Sequence, residues 1–237
     1  MNRLTILAAA LVWTAMWPTI SQAAETVETP EVKKVPWDVF LGELPEQLDY
    51  HVTVERLLGI RGEKRQPSPF DRDDLTLDPN IKTVESLVKK LRSEMKGVAV
   101  IQNAKNPAVI HLIDERLLKR EGYGIDKKVD ITYSGLIDDL GDALGKQVPG
   151  IASPRGALIG EIPGDFRTRV KVDVKDETVR DVLTGCVPLK GYCRILWVAK
   201  TWKDKDGQYH TLVRYYGRPP RSDEPKTGKE SDAGTLD

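Results

Sequence analysis

Two cysteines, three histidines and three phenylalanines in 237 residues leave little material for metal or redox chemistry. Cys186 and Cys193 stand seven positions apart, which is not the C-x-x-C spacing of a redox pair, and a zinc site needs further ligands near them. His51, His111 and His210 each fall inside an expected strand, and none belongs to a metal-binding or nucleophile motif. No G-x-S-x-G, H-E-x-x-H or phosphate-cradling glycine loop is present. No cofactor is expected. Charge of one sign is also missing, with 36 Lys plus Arg against 36 Asp plus Glu, so there is no electrostatic case for nucleic acid. After the first 23 residues no apolar run is long enough to cross a bilayer, which takes roughly 20 residues.

The first residues do carry an address. Arg3 precedes an apolar run from Leu4 to Trp17, and Ser21-Gln22-Ala23 is a small-x-small cleavage signal, so residues 1–23 read as a secretory signal peptide cut between Ala23 and Ala24. The alternative is an uncleaved anchor, which the short run and Pro18 disfavour. Loss of Arg3 leaves the mature chain 35 basic and 36 acidic residues. The expected location is periplasmic or extracellular.

Residues 24–36 are polar, contain two prolines and show no period, as a flexible lead-in would. Order is expected from Trp37, where Trp37, Val39, Phe40, Leu41 and Leu44 form an apolar cluster suited to a short docked helix or turn. Trp37 is read as core or cap, with a partner contact as the alternative. The first unit, residues 37–119, then reads β-α-β-β. Tyr50, Val52 and Val54 alternate with His51, Thr53 and Glu55 in a strand, and 59–80 is a long loop rich in Gly, Pro and charge. Val84, Leu87, Val88, Leu91 and Met95 mark one helical face, with Thr83 as its cap. Strands 98–102 and 108–113 follow, joined by a turn over Asn103 to Pro107.

The second unit, residues 120–217, repeats this pattern loosely. Val129, Ile131 and Tyr133 alternate, Ser134 is placed to cap, and Leu136, Ile137, Leu140, Ala143 and Leu144 give an apolar helical face, despite Gly141 at a cost of about 1 kcal/mol against alanine. Leu158, Ile159 and Ile162 suggest one irregular strand. The clearest stretch comes last. Val170, Val172 and Val174 alternate with lysine and aspartate, Asp176 occupies an N-cap position, and Val179, Val182, Leu183 and Cys186 line one helical face before Gly185 supplies a left-handed stop. Two strands follow, 192–202 and 209–216, turned at Asp206-Gly207. The fold class is therefore α+β, two β-α-β-β-like units with small mixed or antiparallel sheets. Residues 218–237 lack periodicity and read as a disordered tail.

The stretch VKVDVKDETVRDVL resembles the opening strand and helix of the short N-terminal domain of secretins and TonB-dependent receptors, with its D-x-x-[VL]-x-x-[VL]-L helix. That resemblance covers about 45 of 237 residues and implies a periplasmic α+β module that works by protein contact. No barrel-forming sequence follows it, so a free-standing module or adaptor is implied.

Oxidising surroundings make a structural Cys186–Cys193 disulfide the expectation, worth about 2.5 kcal/mol by chain entropy. Aromatics concentrate in the last hairpin. Alternation places Trp197 inward with Cys193 and Ile195, and Trp202 on the other face with Tyr192, Leu196 and Val198. Cross-strand packing explains such aromatics; an open face carrying Trp202, Tyr209 and Tyr215 would instead suit a glycan or a protein partner. Asp71, Asp73, Asp74 and Asp78 lack calcium-loop spacing and read as a solvated acidic loop, and Asp138, Asp139 and Asp142 as the polar face of a helix. The expected function is a non-enzymatic protein-interaction module of the cell envelope or extracellular space. The alternatives are a glycan-binding protein and a hydrolase with acids such as Asp78 and Asp139.

Overall fold

The two sequence units share one sheet. The computed structural model describes residues 34–45, 47–60, 67–71, 75–76, 78, 80–154, 168–187, 189 and 194–216, all within a compact unit spanning 32–237. Strands β1 (Lys34–Val35), β2 (His51–Ile60), β3 (Leu75–Thr76), β4 (Val98–Gln102), β5 (Val109–Asp114), β6 (Lys128–Leu136), β7 (Ile151–Ala152), β8 (Arg169–Thr178), β9 (Ile195–Lys203) and β10 (Tyr209–Tyr215) alternate with α1 (Trp37–Glu43), α2 (Val84–Glu94), α3 (Glu115–Leu118), α4 (Leu140–Gly145) and α5 (Val179–Gly185). Six strands form a mixed sheet in the order β4-β5-β2-β9-β10-β7, and β6 pairs with β8 in a separate antiparallel ribbon. At the centre, β2 and β9 run parallel. The signal peptide, the irregular strand at Leu158–Ile162 and the tail lie outside the described residues.

Each face of the sheet carries its own core. Val52, Val54, Ile110, Leu112 and Val198 pack under α1 and α2 with Phe40, Leu87 and Leu91. Val109, Ile113, Trp197, Ala199, Val213 and Tyr215 pack with Leu140, Leu144, Val179, Val182 and Leu183 on the other side. The helix expected over 84–95 forms because Thr83 and Ser86 close a reciprocal capping box, satisfying amides that its first turn cannot pair internally. Trp37 is half-buried on α1, donates Nε1–H to Phe70 O at 3.1 Å and meets the Phe70 ring edge-on.

Several local expectations are corrected. Lys34 and Val35, assigned to the flexible lead-in, form β1 against β3, with Val35 buried. The 59–80 loop is anchored by the buried Phe70 and Leu75. Ser134 does not cap a helix; β6 runs through it, and a 3-10 turn at Ile137–Asp139 leads into α4. In β8 the N-cap shifts from Asp176 to Thr178, whose side chain accepts from Asp181 N–H. A bulge opposite Asp130 causes this, with Asp176 in the left-handed region (φ 55°) and its N–H on Asp130 Oδ1 at 2.8 Å. Gly185 ends α5 without a positive φ. A second bulge at Leu196 breaks the alternation of β9, so Leu196 and Trp197 enter one core while Ile195 and Val198 lie against the other.

Gly141 is a packing glycine. A Cβ there would lie 2.7 Å from Ser153 Oγ and 2.9 Å from the backbone at Ala152–Ser153. Gly141→Ala therefore lowers stability by about 1–3 kcal/mol in urea unfolding, although alanine is the better helix former.

Candidate functional site

Strand β2 places polar side chains in the core beneath α5. Glu55 is fully buried and accepts a bidentate fork from Arg180, Nε to Oε1 at 2.6 Å and Nη2 to Oε2 at 2.8 Å, and the Tyr123 hydroxyl at 2.7 Å. Arg180 also pairs with Asp126. Burial works against the guanidinium charge, but the hydrogen bonds and charge of Glu55 outweigh it and hold the Arg180 pKa above its usual value. Burial, then the Glu55 carboxylate, pushes the Tyr123 phenol well up. Sequence reading missed this group, because Glu55 alternates with valines as a solvent-facing residue would.

One residue pair further along the same face lies His111. Asn103 Oδ1 accepts from the Lys105 and Asn106 amides at 2.9 Å, which fixes its side-chain amide. Its Nδ2 therefore faces His111 Nε2 (3.0 Å) as a donor, so Nε2 accepts and the Nδ1 proton goes to Thr53 Oγ1 at 2.7 Å. Burial, then the charge of Arg180, lowers the His111 pKa to about 4. This histidine is neutral and orients its neighbours. His210 bonds Asp204 at 2.7 Å, and His51 is buried, 3.8 Å from Asp49.

At the surface above these groups, Lys105 bridges Glu177 and Asp181 at the start of α5. Two clefts flank the helix. The smaller, about 180 Å³, is lined by Asn103, Asn106 and Thr184 among others. The larger, about 330 Å³, runs between α5 (Asp181, Val182, Gly185, Cys186) and four successive residues of β8, Lys171 to Val174. Four consecutive residues lining one cleft fit a strand's edge, since a face contributes alternate ones. Gly185 lies on both clefts, and a Cβ there meets open space.

That edge differs from two others. On β4 the outward Val100 carbonyl accepts from Arg92 Nε at 3.0 Å. On β6, Gln147 takes both backbone groups of Asp130, accepting from its N–H at 3.3 Å and donating to its carbonyl at 2.6 Å. On β8, the Ile137 N–H to Thr168 O bond sets the ladder phase, so the backbone groups of Lys171 and Asp173 point away from β6. Among the described residues no strand or side chain pairs with them.

The hairpin candidates separate. Trp202 and Tyr209 are half-exposed; Trp202 stacks on His210 with centroids 5.5 Å apart, and Lys203 lies over the Tyr209 ring. Tyr215 is 1% exposed, its hydroxyl against Cys186 Sγ at 3.4 Å, and so has no open face. The expected disulfide is not formed: Cys186 carries a free thiol that donates to Leu183 O at 3.2 Å, and burial raises its pKa to about 11. Cys193 and Tyr192 lie outside the described residues. Asp71 pairs with Arg56, and Asp142 accepts from Ser153 N–H; Asp73 and Asp74 are outside the description. Comparison with protein-family models, curated proteins and solved structures finds no match.

Two outcomes are expected. The His111 contribution is full above the ordinary pKa of 6.5 and is lost as pH falls to about 4, costing about 3 kcal/mol; urea midpoints between pH 7 and 4 should show the loss, and His111→Gln should flatten it. Arg180→Met strands a buried carboxylate and costs about 3–5 kcal/mol. Glu55→Gln added to it removes the charge yet keeps an acceptor for Tyr123, and chemical unfolding should show about 2 kcal/mol recovered.

Proposed function

We propose that this protein is an exported, non-enzymatic interaction module of the cell envelope or extracellular space, which receives an extended segment of a protein partner along β8. One observation carries the reading: the β8 edge, unpaired among the described residues, opens into a cleft walled by α5. Strand addition supplies affinity through backbone hydrogen bonds and selectivity through side-chain positions along the groove. The apolar leader with its Ala23–Ala24 cleavage position supports export. The resemblance of β8 and α5 to the short N-terminal domain of secretins and TonB-dependent receptors supports work by protein contact.

Gly185 provides the test. Its backbone has no positive φ and a Cβ there meets open space, so a phenylalanine at this position projects from the helix beside the groove and obstructs it. The mature chain used as bait on envelope and culture-medium fractions should retain a specific protein, and Gly185→Phe, with unchanged circular dichroism, should lose it. Retention of polysaccharide in place of protein, abolished by Trp202→Ala, would move the function to the half-exposed Trp202–His210 stack. Identical retention by the wild type and Gly185→Phe would remove the groove from the account.

A further inference from the structure

The side chains around the open edge describe the segment it takes. Along β8, Val170, Val172 and Val174 face inward, and Val174 is the least covered of the three. Lys171, Asp173 and Lys175 face out. Among the described residues Lys171 and Lys175 have no carboxylate partner, and Asp173 is met only by the Thr132 hydroxyl, at 2.9 Å. The lysine that borders the groove from elsewhere, Lys105, is already paired with Glu177 and Asp181. The uncompensated charge at the edge therefore follows the sequence basic, acidic, basic at every second position.

Resting on the reading above, we propose that the β8 edge takes a partner strand in antiparallel register carrying acidic, basic and acidic side chains at alternate positions, with β-branched apolar residues between them. The outward backbone groups of Lys171 and Asp173 make hydrogen-bonded pairs with this strand, and its two carboxylates lie opposite Lys171 and Lys175. Its cation lies opposite Asp173, where cross-strand ion pairs favour the register. Its inward residues cover Val174 and rest on Val182 and Cys186 of the α5 wall. At the far end the bulge at Asp176 breaks the ladder, so the seat extends no further than Lys175.

A second copy of β8 is a weaker occupant. Pairing centred on Asp173 sets aspartate against aspartate and Lys171 against Lys175. Pairing centred on Val172 joins Lys171 to Asp173 twice, but sets Arg169 against Lys175 at both ends.

The probe is an acetylated, amidated peptide Val-Glu-Val-Lys-Val-Glu-Val, and its counterpart is Val-Lys-Val-Glu-Val-Lys-Val. Hydrogen exchange on the purified full chain should show protection of residues 169–175 with the first peptide, and titration should give the counterpart about tenfold weaker binding. In Lys171→Glu/Lys175→Glu, whose changes are both on the exposed face, the preference should reverse. Equal protection by both peptides would overturn the charge pattern while leaving the groove reading intact. Protection that rises with the chain's own concentration and needs no peptide would overturn it in favour of self-pairing. No protection by either peptide, alongside Gly185-sensitive capture from an extract, would also overturn it and leave the groove to another segment; without that capture, both readings fall.

Discussion

The buried ion pair of Glu55 and Arg180 is the constraint on which the rest of this arrangement depends. Glu55 is fully buried in the middle of a central strand, so its charge requires the guanidinium fork and the Tyr123 hydroxyl. Arg180 belongs to the first turn of α5, 125 positions later in the chain. A carboxylate that cannot stay unpaired in the core therefore fixes where α5 lies and how it is rotated. With α5 held there, Asp181 meets Lys105, and the side of the helix carrying Asp181, Val182, Gly185 and Cys186 becomes a wall facing β8. The pair is a device of position, since a buried ion pair is a poor source of net stability compared with apolar packing.

The same logic separates what was legible in the sequence from what was not. Helix α2 was readable to within a residue because its apolar stripe and its Thr83 cap are both local signals. The turn at Asn103 and the hairpin at Asp206-Gly207 were readable for the same reason. Alternation on β2 correctly marked a strand but not the fate of its polar face, because both faces of a central strand are buried. Glu55, Thr53 and His111 look like solvent-facing residues until the second unit supplies Arg180 and the first supplies Asn103. The phase of β9 was misjudged because a bulge at Leu196 is set by pairing with β2, far away in sequence.

The candidate site was only partly visible. Trp202 and Tyr209 are half-exposed, whereas Tyr215, named with them for an open face, is buried because the hairpin's second strand buries alternate residues. Cys186 was read for its oxidation chemistry, but in the structure it is a half-buried thiol at the groove wall that acts as a weak donor to Leu183 O. The open edge of β8 had no sequence signature. Among the described residues its opening is the difference between a strand that meets an Arg92 or a Gln147 and one that does not, and that depends on tertiary placement.

The pairing of β2 with β9 bears on how the chain reaches its final state. It joins Val52 to Ile195 and Ile60 to Lys203, so the middle of the sheet is built from segments separated by most of the polypeptide. Closing so large a loop carries a high entropic barrier and slows folding. A nascent chain emerging from its amino end therefore holds an incomplete sheet, with one side of β2 unpaired, until β9 in the final hairpin is free to join it.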